Sequence, residues 1–193
     1  LGGEQVLRVA RQCLEILVNR GIGVILSTRG EMPDDVIELL SSHAPFVRVN
    51  LPLASMDDDY TATWEPGTAP PRRRLFLAQR LLRAGITPQI RMDPVIPYVN
   101  DESEQVRELV SAVDSLGLQR MTVSFMHLRP GLHLQLEREA PALARRIVLG
   151  RYPSLSRRPD SWPPPPLSQR SASRGRLQTL AAARRLERNV CTR

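Results

Sequence analysis

Asp93-Pro94-Val95-Ile96-Pro97-Tyr98-Val99-Asn100-Asp101, the stretch DPVIPYVND, holds the key to the fold. It follows a short apolar run from Thr87 to Val95 that reads as a strand. Pro94 and Pro97 end the strand's hydrogen-bond ladder, because proline has no N–H to donate. Asn100 or Asp101 then supplies a side-chain oxygen to cap a helix that runs to Leu116 and closes at Gly117. A strand that passes through a polar turn into a helix is one βα unit, and its carboxyl end is where such units carry function.

The same unit recurs on both sides. Upstream, Glu4–Arg20 carries Val6, Leu7, Ala10, Leu14, Leu17 and Val18 at helical spacing and stops at Gly21, with Cys13 expected as a small residue on the buried side. Gly23–Thr28 is a strand, Pro33 opens a helix to about Ser41, and Phe46–Leu53 alternates as a second strand. After a long loop, Ala54–Pro70, a helix over Leu75–Ala84 closes at Gly85. Downstream, Arg120–Leu128 is the fourth strand, and residues 133–149 form one more helix. The order α β α β α β α β α implies a parallel sheet covered by helices. A βα fold ordinarily opens on a strand, so the chain is expected to be part of a longer protein. Three segments follow: residues 1–150 as the αβ unit, 151–176 as a Pro/Ser/Arg-rich linker too polar to pack, and 177–193 as a short helical tail.

With 193 residues, the chain can bury one good core. Its net charge is +7, and all 27 basic residues are Arg. The excess lies toward the carboxyl end, which keeps nucleic acid open as a partner. Aromatic residues, only 4% of the chain, make stacking platforms sparse. No apolar run reaches the roughly 18 residues of a membrane span, and the reading is a cytoplasmic protein without a membrane partner. Cys13 and Cys191 belong to no CxxC or CxxxC group, so no metal site is expected. Neither the phosphate- and dinucleotide-binding glycine motifs nor HExxH or GxSxG occurs.

Polar residues gather where the strands end: Ser27, Thr28 and Arg29; Asn50; Arg91 and Asp93; His127 and Arg129. Arg29 can engage a carboxylate or phosphate through two parallel hydrogen bonds. In the long loop, the adjacent acids Asp57–Asp59 suit helix capping better than metal binding. Glu65, beside Pro66 and Gly67, is placed to accept from an amine or a ribose hydroxyl. Gly2, Gly3 and Glu4 lead into a helix N-terminus, a setting that favours anions and polar ligands. His43, His127 and His133 show no metal-ligand spacing.

Colinear segments carry a family resemblance: the helix RQCLEILVNRGIGV, the strand VILSTRG, FVRVNLPL followed by WEPGTAPPRRRL, and LLRAGITPQIRMDPVIPYVND. In this order and spacing the chain resembles the radical S-adenosylmethionine superfamily, in the branch of spore photoproduct lyase and its relatives. The resemblance covers about Gly2 to Pro130. It implies an incomplete (β/α) partial barrel, TIM-like with parallel strands, whose cofactors in the full-length parent are S-adenosylmethionine and a 4Fe-4S cluster. Such enzymes make a 5′-deoxyadenosyl radical at that cluster.

By this resemblance Gly2, Gly3 and Glu4 meet the cofactor's amino group, and Ser27, Thr28 and Arg29 meet its carboxylate, with Arg29 in place of the usual Lys. Asn50 stands where a Ser commonly meets the ribose or methionine part, while Asp93, Pro94 and Ile96 border the adenine. Substrate contacts fall to Glu65, His127 and Arg129. The CxxxCxxC cluster ligands are absent from this chain, and no residue is assigned to a metal or to the catalytic step. Two functions stand: the carboxyl-side portion of a radical S-adenosylmethionine enzyme, akin to a DNA-repair lyase, or a non-catalytic α/β binding module.

Overall fold

The computed structural model describes residues 3–126, 130–151 and 187–190. Helix α1 (Gly3–Asn19) leads into strand β1 (Val24–Ser27), then helix α2 (Asp34–Ser41), a 3-10 turn (Ala44–Phe46) and strand β2 (Val47–Pro52). Helices α3 (Asp58–Trp64) and α4 (Pro71–Arg83) precede β3 (Gln89–Val95), and α5 (Ser103–Asp114) precedes β4 (Arg120–Phe125). Helices α6 (Pro130–Glu139) and α7 (Pro141–Arg151) come next, and β5 (Glu187–Val190) is last. Every strand pairs in parallel with its neighbour in chain order. This is the parallel sheet that the alternating pattern predicts, and it matches the partial (β/α) barrel that the resemblance implies.

Parallel neighbours in chain order need crossover connections of one hand, which place the connecting helices on one side of the sheet. The core lies there. Leu40 of α2, Leu77 and Leu81 of α4, and Leu109 and Val113 of α5 join Val49 and Leu51 of β2, Ile90 and Met92 of β3, and Met121 and Val123 of β4 in one cluster. Burial of a leucine of this kind contributes about 1.5–3 kcal/mol. The helix ends follow their glycines. At α4 the chain turns at Gly85, φ +77°, while Ile86 N–H donates to Leu81 O at 2.9 Å, closing the helix in the way a C-terminal glycine allows.

The structure corrects several sequence expectations. The segment 54–70 is not all loop: Asp57 accepts from Asp59 N–H at 2.8 Å and starts α3. Pro141 divides the single helix expected over 133–149 into α6 and α7, because proline cannot continue a helix ladder. Cys13 is exposed. Of the predicted apolar face of α1, only Leu14 and Val18 are buried, while Val6 and Leu7 face outward. Helix α1 packs mainly on α2 and β1, at the end of the sheet, and the amino-terminal part of its stripe is left about half exposed at Val6 (53%) and Leu7 (52%).

Pro94 does not end β3. The strand runs through it to Val95, with a cis Asp93–Pro94 bond and a register shift between Met92 and Val95. A proline is tolerated where an irregular ladder asks for no N–H. Nor does Asn100 or Asp101 cap α5. The N-cap is Glu102, without a side-chain hydrogen bond, and both earlier residues serve the preceding loop. In the segment expected as a helical tail, 187–190 form β5, which occupies the otherwise open edge of β4. The linker expected beyond Arg151 and the helix expected over 177–186 lie outside the described residues.

Candidate functional site

Side chains alternate across a strand, so the core residues of β2, β3 and β4 fix what faces the other way. Between Val47, Val49 and Leu51 stand Arg48 and Asn50; between Ile90 and Met92 stands Arg91, with Gln89 and Asp93 in the same phase. Thr122 lies in the same phase on β4, and Gln89 Nε2 donates to its hydroxyl at 2.6 Å across the strands. Arg91 Nη2 donates to Asp93 Oδ2 at 2.8 Å. The sheet therefore has an apolar outer face under helices and a polar inner face. In a closed barrel, layers of branched apolar side chains fill that interior. Here it carries arginines, amides and a carboxylate.

At the carboxyl ends the network tightens. Ser27 and Asn50 are register partners, and Asn50 Nδ2 donates to Ser27 Oγ at 3.3 Å. Thr28 Oγ1 accepts from Gly30 N–H at 3.0 Å, and Thr28 N–H donates to Asn50 O at 3.2 Å, which shapes the turn that projects Arg29. Arg29 Nη2 reaches the carbonyl of Asp93 at 3.4 Å, and its Nε lies 3.3 Å from Glu65 Oε1. That last contact lacks hydrogen-bond geometry, leaving Glu65 Oε1 without a hydrogen bond.

Glu65 is itself buried, and so is its other partner. Arg74 Nη1 contacts Glu65 Oε2 at 2.6 Å and donates to Pro52 O at 3.0 Å, while Nε donates to Ala69 O at 2.7 Å and Nη2 to Thr68 Oγ1 at 2.5 Å. The Arg74 side chain is 2% exposed and that of Glu65 7%. Removing either partner would leave a charge stranded out of water. With Arg74 neutralising Glu65, the cationic charge of Arg29, 42% exposed, is left to face solvent at the mouth. Next to this pair, burial and then the charge of Glu65 hold the Tyr60 hydroxyl far above the usual tyrosine range, opposed by Arg29 and Arg74.

The turn after β3 is pinned by Asn100, which is fully buried. Its Oδ1 accepts from Ile96 N–H at 2.7 Å, and its Nδ2 donates to Ala54 O at 3.0 Å and Pro94 O at 3.1 Å. Ala54 and Ile96 then join Tyr60 of α3, Leu136 of α6 and Ala144 and Ile147 of α7 in a second apolar cluster. The helix pair α6–α7 therefore packs on the rim, apart from the main core.

The structure thus brings Ser27, Thr28, Arg29, Asn50, Glu65 and Asp93 into one connected rim. Pro94 and Ile96 belong to the pinned turn beside it. Gly3 and Glu4 begin α1, and the hydrogen bonds and ion pairs that join the rim do not include them. Gly2, His127 and Arg129 lie outside the described residues. Sequence reasoning missed Arg48, Gln89 and Thr122 on the inner face, although their alternation in RVNLP, QIRMD and RMTVSF carried the signal. It also missed Arg74 and the structural task of Asn100. Among the described residues no group of three or more His, Cys, Asp or Glu side chains could hold a metal ion.

No protein-family model matches the chain. The uncharacterized protein Rv2578c of Mycobacterium tuberculosis (strain ATCC 25618 / H37Rv) is 29% identical over 176 residues, 88% of this chain and 49% of its own length. The uncharacterized protein ORF301 of Acidianus two-tailed virus is 20% identical over 134 residues, 68% of this chain and 44% of its own. The chain spans about half the length of these curated relatives.

Among solved structures, a domain of pyruvate-formate lyase-activating enzyme from Bacteroides vulgatus ATCC 8482 superposes with a TM-score of 0.62 at 15% identity, covering 100% of this chain and 96% of that one. Spore photoproduct lyase complexed with dinucleoside spore photoproduct gives 0.59 at 15% identity, over 94% of this chain and 54% of that one. Streptococcus suis SuiB bound to S-adenosylmethionine gives 0.51 at 18% identity, over 72% and 33%. What they share with this chain is the fold. The fold that the resemblance implied is therefore the fold that these neighbours share with this chain.

Proposed function

We propose that the inner face and rim bind S-adenosylmethionine, and that the chain is the carboxyl-side portion of a radical S-adenosylmethionine enzyme. The observation that carries this reading is the polar inner face. A parallel sheet normally buries both faces. This one leaves its second face to Arg48, Asn50, Gln89, Arg91 and Asp93, a lining suited to a polar ligand. The bound cofactor in the SuiB structure supports the choice of ligand.

Arg29, the outward cation of the rim, receives the cofactor carboxylate through its fork. Ser27, Asn50 and Asp93 offer acceptors and donors to the ribose and amino groups, with Gly2, Gly3 and Glu4 also assigned to the amino group. Pro94 and Ile96 border the adenine, and His127 and Arg129 belong to the substrate side. Glu65 acts through Arg29, since Arg74 already occupies its carboxylate. In enzymes of this class a 4Fe-4S cluster supplies the electron that cleaves the cofactor. The described residues do not fit such a cluster: their one cysteine, Cys13, is exposed on α1, and no step is assigned to them through it.

Equilibrium binding of S-adenosylmethionine and of its decarboxylated analogue, to the wild-type chain and to Arg29→Ala, tests the assignment. The wild type should favour the cofactor over the analogue. Arg29→Ala should cost about ten-fold or more for the cofactor, as loss of a charge-assisted hydrogen bond does, and leave the analogue unchanged. Equal binding of both ligands by the wild type would show that the carboxylate makes no net contribution and overturn the role of Arg29, whereas an unaffected Arg29→Ala beside a retained preference would move the carboxylate site elsewhere. No binding of either would favour the non-catalytic module.

A further inference from the structure

Helix α4 carries five arginines, Arg72, Arg73, Arg74, Arg80 and Arg83, and no acid. The fold partners three of them. Arg74 has the buried Glu65, Arg73 has Glu31, with Nε 2.7 Å from Oε1, and Arg80 has Asp34 together with the Met32 carbonyl, which accepts from Nη1 at 2.9 Å. Arg72 and Arg83 have no partner among the described residues, and both are exposed. Arg83, in the last turn, faces the negative end of the helix dipole, but Arg72 stands in the first turn, where a cation is disfavoured. Between the two lies Phe76, 49% exposed. With Pro33 and the buried Met32 and Leu77 it lines an open cavity of about 390 Å³ between α4 and the start of α2, whose other walls are the Glu31–Arg73 and Asp34–Arg80 pairs.

We infer that the outer surface of α4 is a docking site for an acidic helical segment of a partner protein, with an apolar side chain in the cavity beside Phe76 and carboxylates on Arg72 and Arg83. Charge sets the sign of the partner. Each cation lining the cavity is matched by an anion, so the uncompensated charge along α4 is that of Arg72 and Arg83 among the described residues. Spacing sets its shape. Arg72 precedes Phe76 by four residues and Arg83 follows it by seven, which puts all three on one face of the helix, about 6 Å and about 10 Å apart along its axis. A helix laid alongside, with carboxylates at those same intervals from an apolar residue, meets the ring and both guanidiniums at once. The ion pairs around the cavity then keep water from the apolar anchor, as the rim of an interface does around its hot spot. A phosphate-rich strand would meet the arginines and leave the apolar cavity empty. Leu77 floors the cavity and belongs to the core behind it, so this surface lies on the outer side of the sheet, away from the inner face.

The probe is a fluorescein-labelled peptide of about twenty residues, long enough to be helical, with one central Leu in an Ala/Gln background and Glu four residues before it and seven after it. Control peptides replace both Glu by Gln, or the Leu by Ala. Fluorescence anisotropy is measured with the full chain and its Phe76→Ala, Arg72→Gln/Arg83→Gln and Arg8→Gln variants, Arg8 being an exposed arginine of α1 outside this surface. The wild type should bind the probe about ten-fold tighter than either control. Phe76→Ala should lose about ten-fold for the probe, and the double variant should lose a similar amount at low salt and less at high salt, because screening acts on exposed charges. Arg8→Gln should match the wild type. Since Arg72 and Arg83 hold nothing among the described residues, the double variant should keep the wild-type melting temperature, and it carries the test even where Phe76→Ala loosens α4.

Equal binding of the probe and the Gln control would take the arginines out of the site, and equal binding of the Ala control would take out the cavity. Either result overturns the inference, as does an absence of probe binding by the wild type. A loss with Arg8→Gln equal to that of the double variant would show attraction to net charge alone and overturn it too. Displacement of the probe by a single-stranded oligonucleotide at equal concentration would give the arginines to nucleic acid, with the same consequence. Saturating S-adenosylmethionine should leave probe binding unchanged, since the core separates the two faces; competition would place the probe on the inner face and overturn the docking site. Probe binding that follows the expected pattern beside absent cofactor binding would support the docking site and overturn the cofactor reading alone.

Discussion

On the outer side of the sheet, Leu77, Ala78 and Leu81 of α4 pack among the strand residues Val49, Leu51 and Ile90; one turn earlier on the same helix face, Arg74 reaches the rim. The two regions meet on one helix and are held by different physics. Stability in the wall scales with apolar area removed from water, and neighbouring side chains relax around a loss. At the rim, Arg74 satisfies Pro52, Ala69, Thr68 and Glu65 at once, so nothing nearby can replace it. A buried charge of this kind fixes geometry more than it adds net stability.

That contrast is sharpest at Arg74. Arg74→Met keeps the volume but strands the Glu65 carboxylate with Arg29 as its remaining ion-pair partner, and should cost about 3–5 kcal/mol. Urea unfolding followed by Trp fluorescence and circular dichroism would measure it, with an unchanged slope confirming the same two-state transition. A loss below about 1 kcal/mol would mean that water reaches Glu65. One step down, Leu81→Ala, a fully buried wall residue, should cost about 3 kcal/mol by the same measurement, with wall and rim otherwise intact. A value near that for an exposed site, within about 0.5 kcal/mol, would break the picture of a tightly packed wall.

Smaller again is Asn100→Ala, which removes three hydrogen bonds around a fully buried amide. About 2 kcal/mol is expected, since the Ile96 N–H and the Ala54 carbonyl lose their side-chain partner. Amide hydrogen exchange should speed up over residues 94–100 and stay unchanged in β2. Uniform acceleration across the sheet would show that the turn belongs to the wall and not to a separate rim unit.

The wall was legible in the sequence because its cause is periodic. Alternation in VRVNLP and QIRMDPV, and glycines after the α1, α4 and α5 segments, follow directly from strand pleat and helix capping. The rim was only half legible. Polar strand ends at Ser27–Arg29, Asn50 and Asp93 were visible, yet which of them touch depends on register between strands far apart in sequence. Helix α3 is short, and three adjacent acids hid the capping residue among equals. Arg74 sits in the run Arg72–Arg74, which looks like solvated charge. Its spacing from Leu77, Ala78 and Leu81 puts it on the buried face, so helical phase would have separated it from its neighbours. Asn100 looked like a helix cap because its local sequence suits one, and only the tertiary closeness of Ala54 redirected it.

Arg29 gives the smallest effect on folding and the most direct contrast with Arg74, since both reach Glu65. Its side chain is 42% exposed, so the Coulomb attraction is screened by water and offset by side-chain entropy. Arg29→Ala should therefore change stability by no more than about 0.5 kcal/mol. In double-mutant cycles with Glu65→Gln, the Arg29–Glu65 coupling should fall below about 1 kcal/mol, with that of Arg74–Glu65 at least twice as large. Raising ionic strength should erase the first and spare the second, because screening acts on exposed pairs. If the two couplings came out equal, Glu65 would be held by both arginines alike and Arg29 would have no charge left to offer a ligand. Unequal couplings leave one arginine as scaffold and the other available for binding, a division of labour set by how far each guanidinium stands from water.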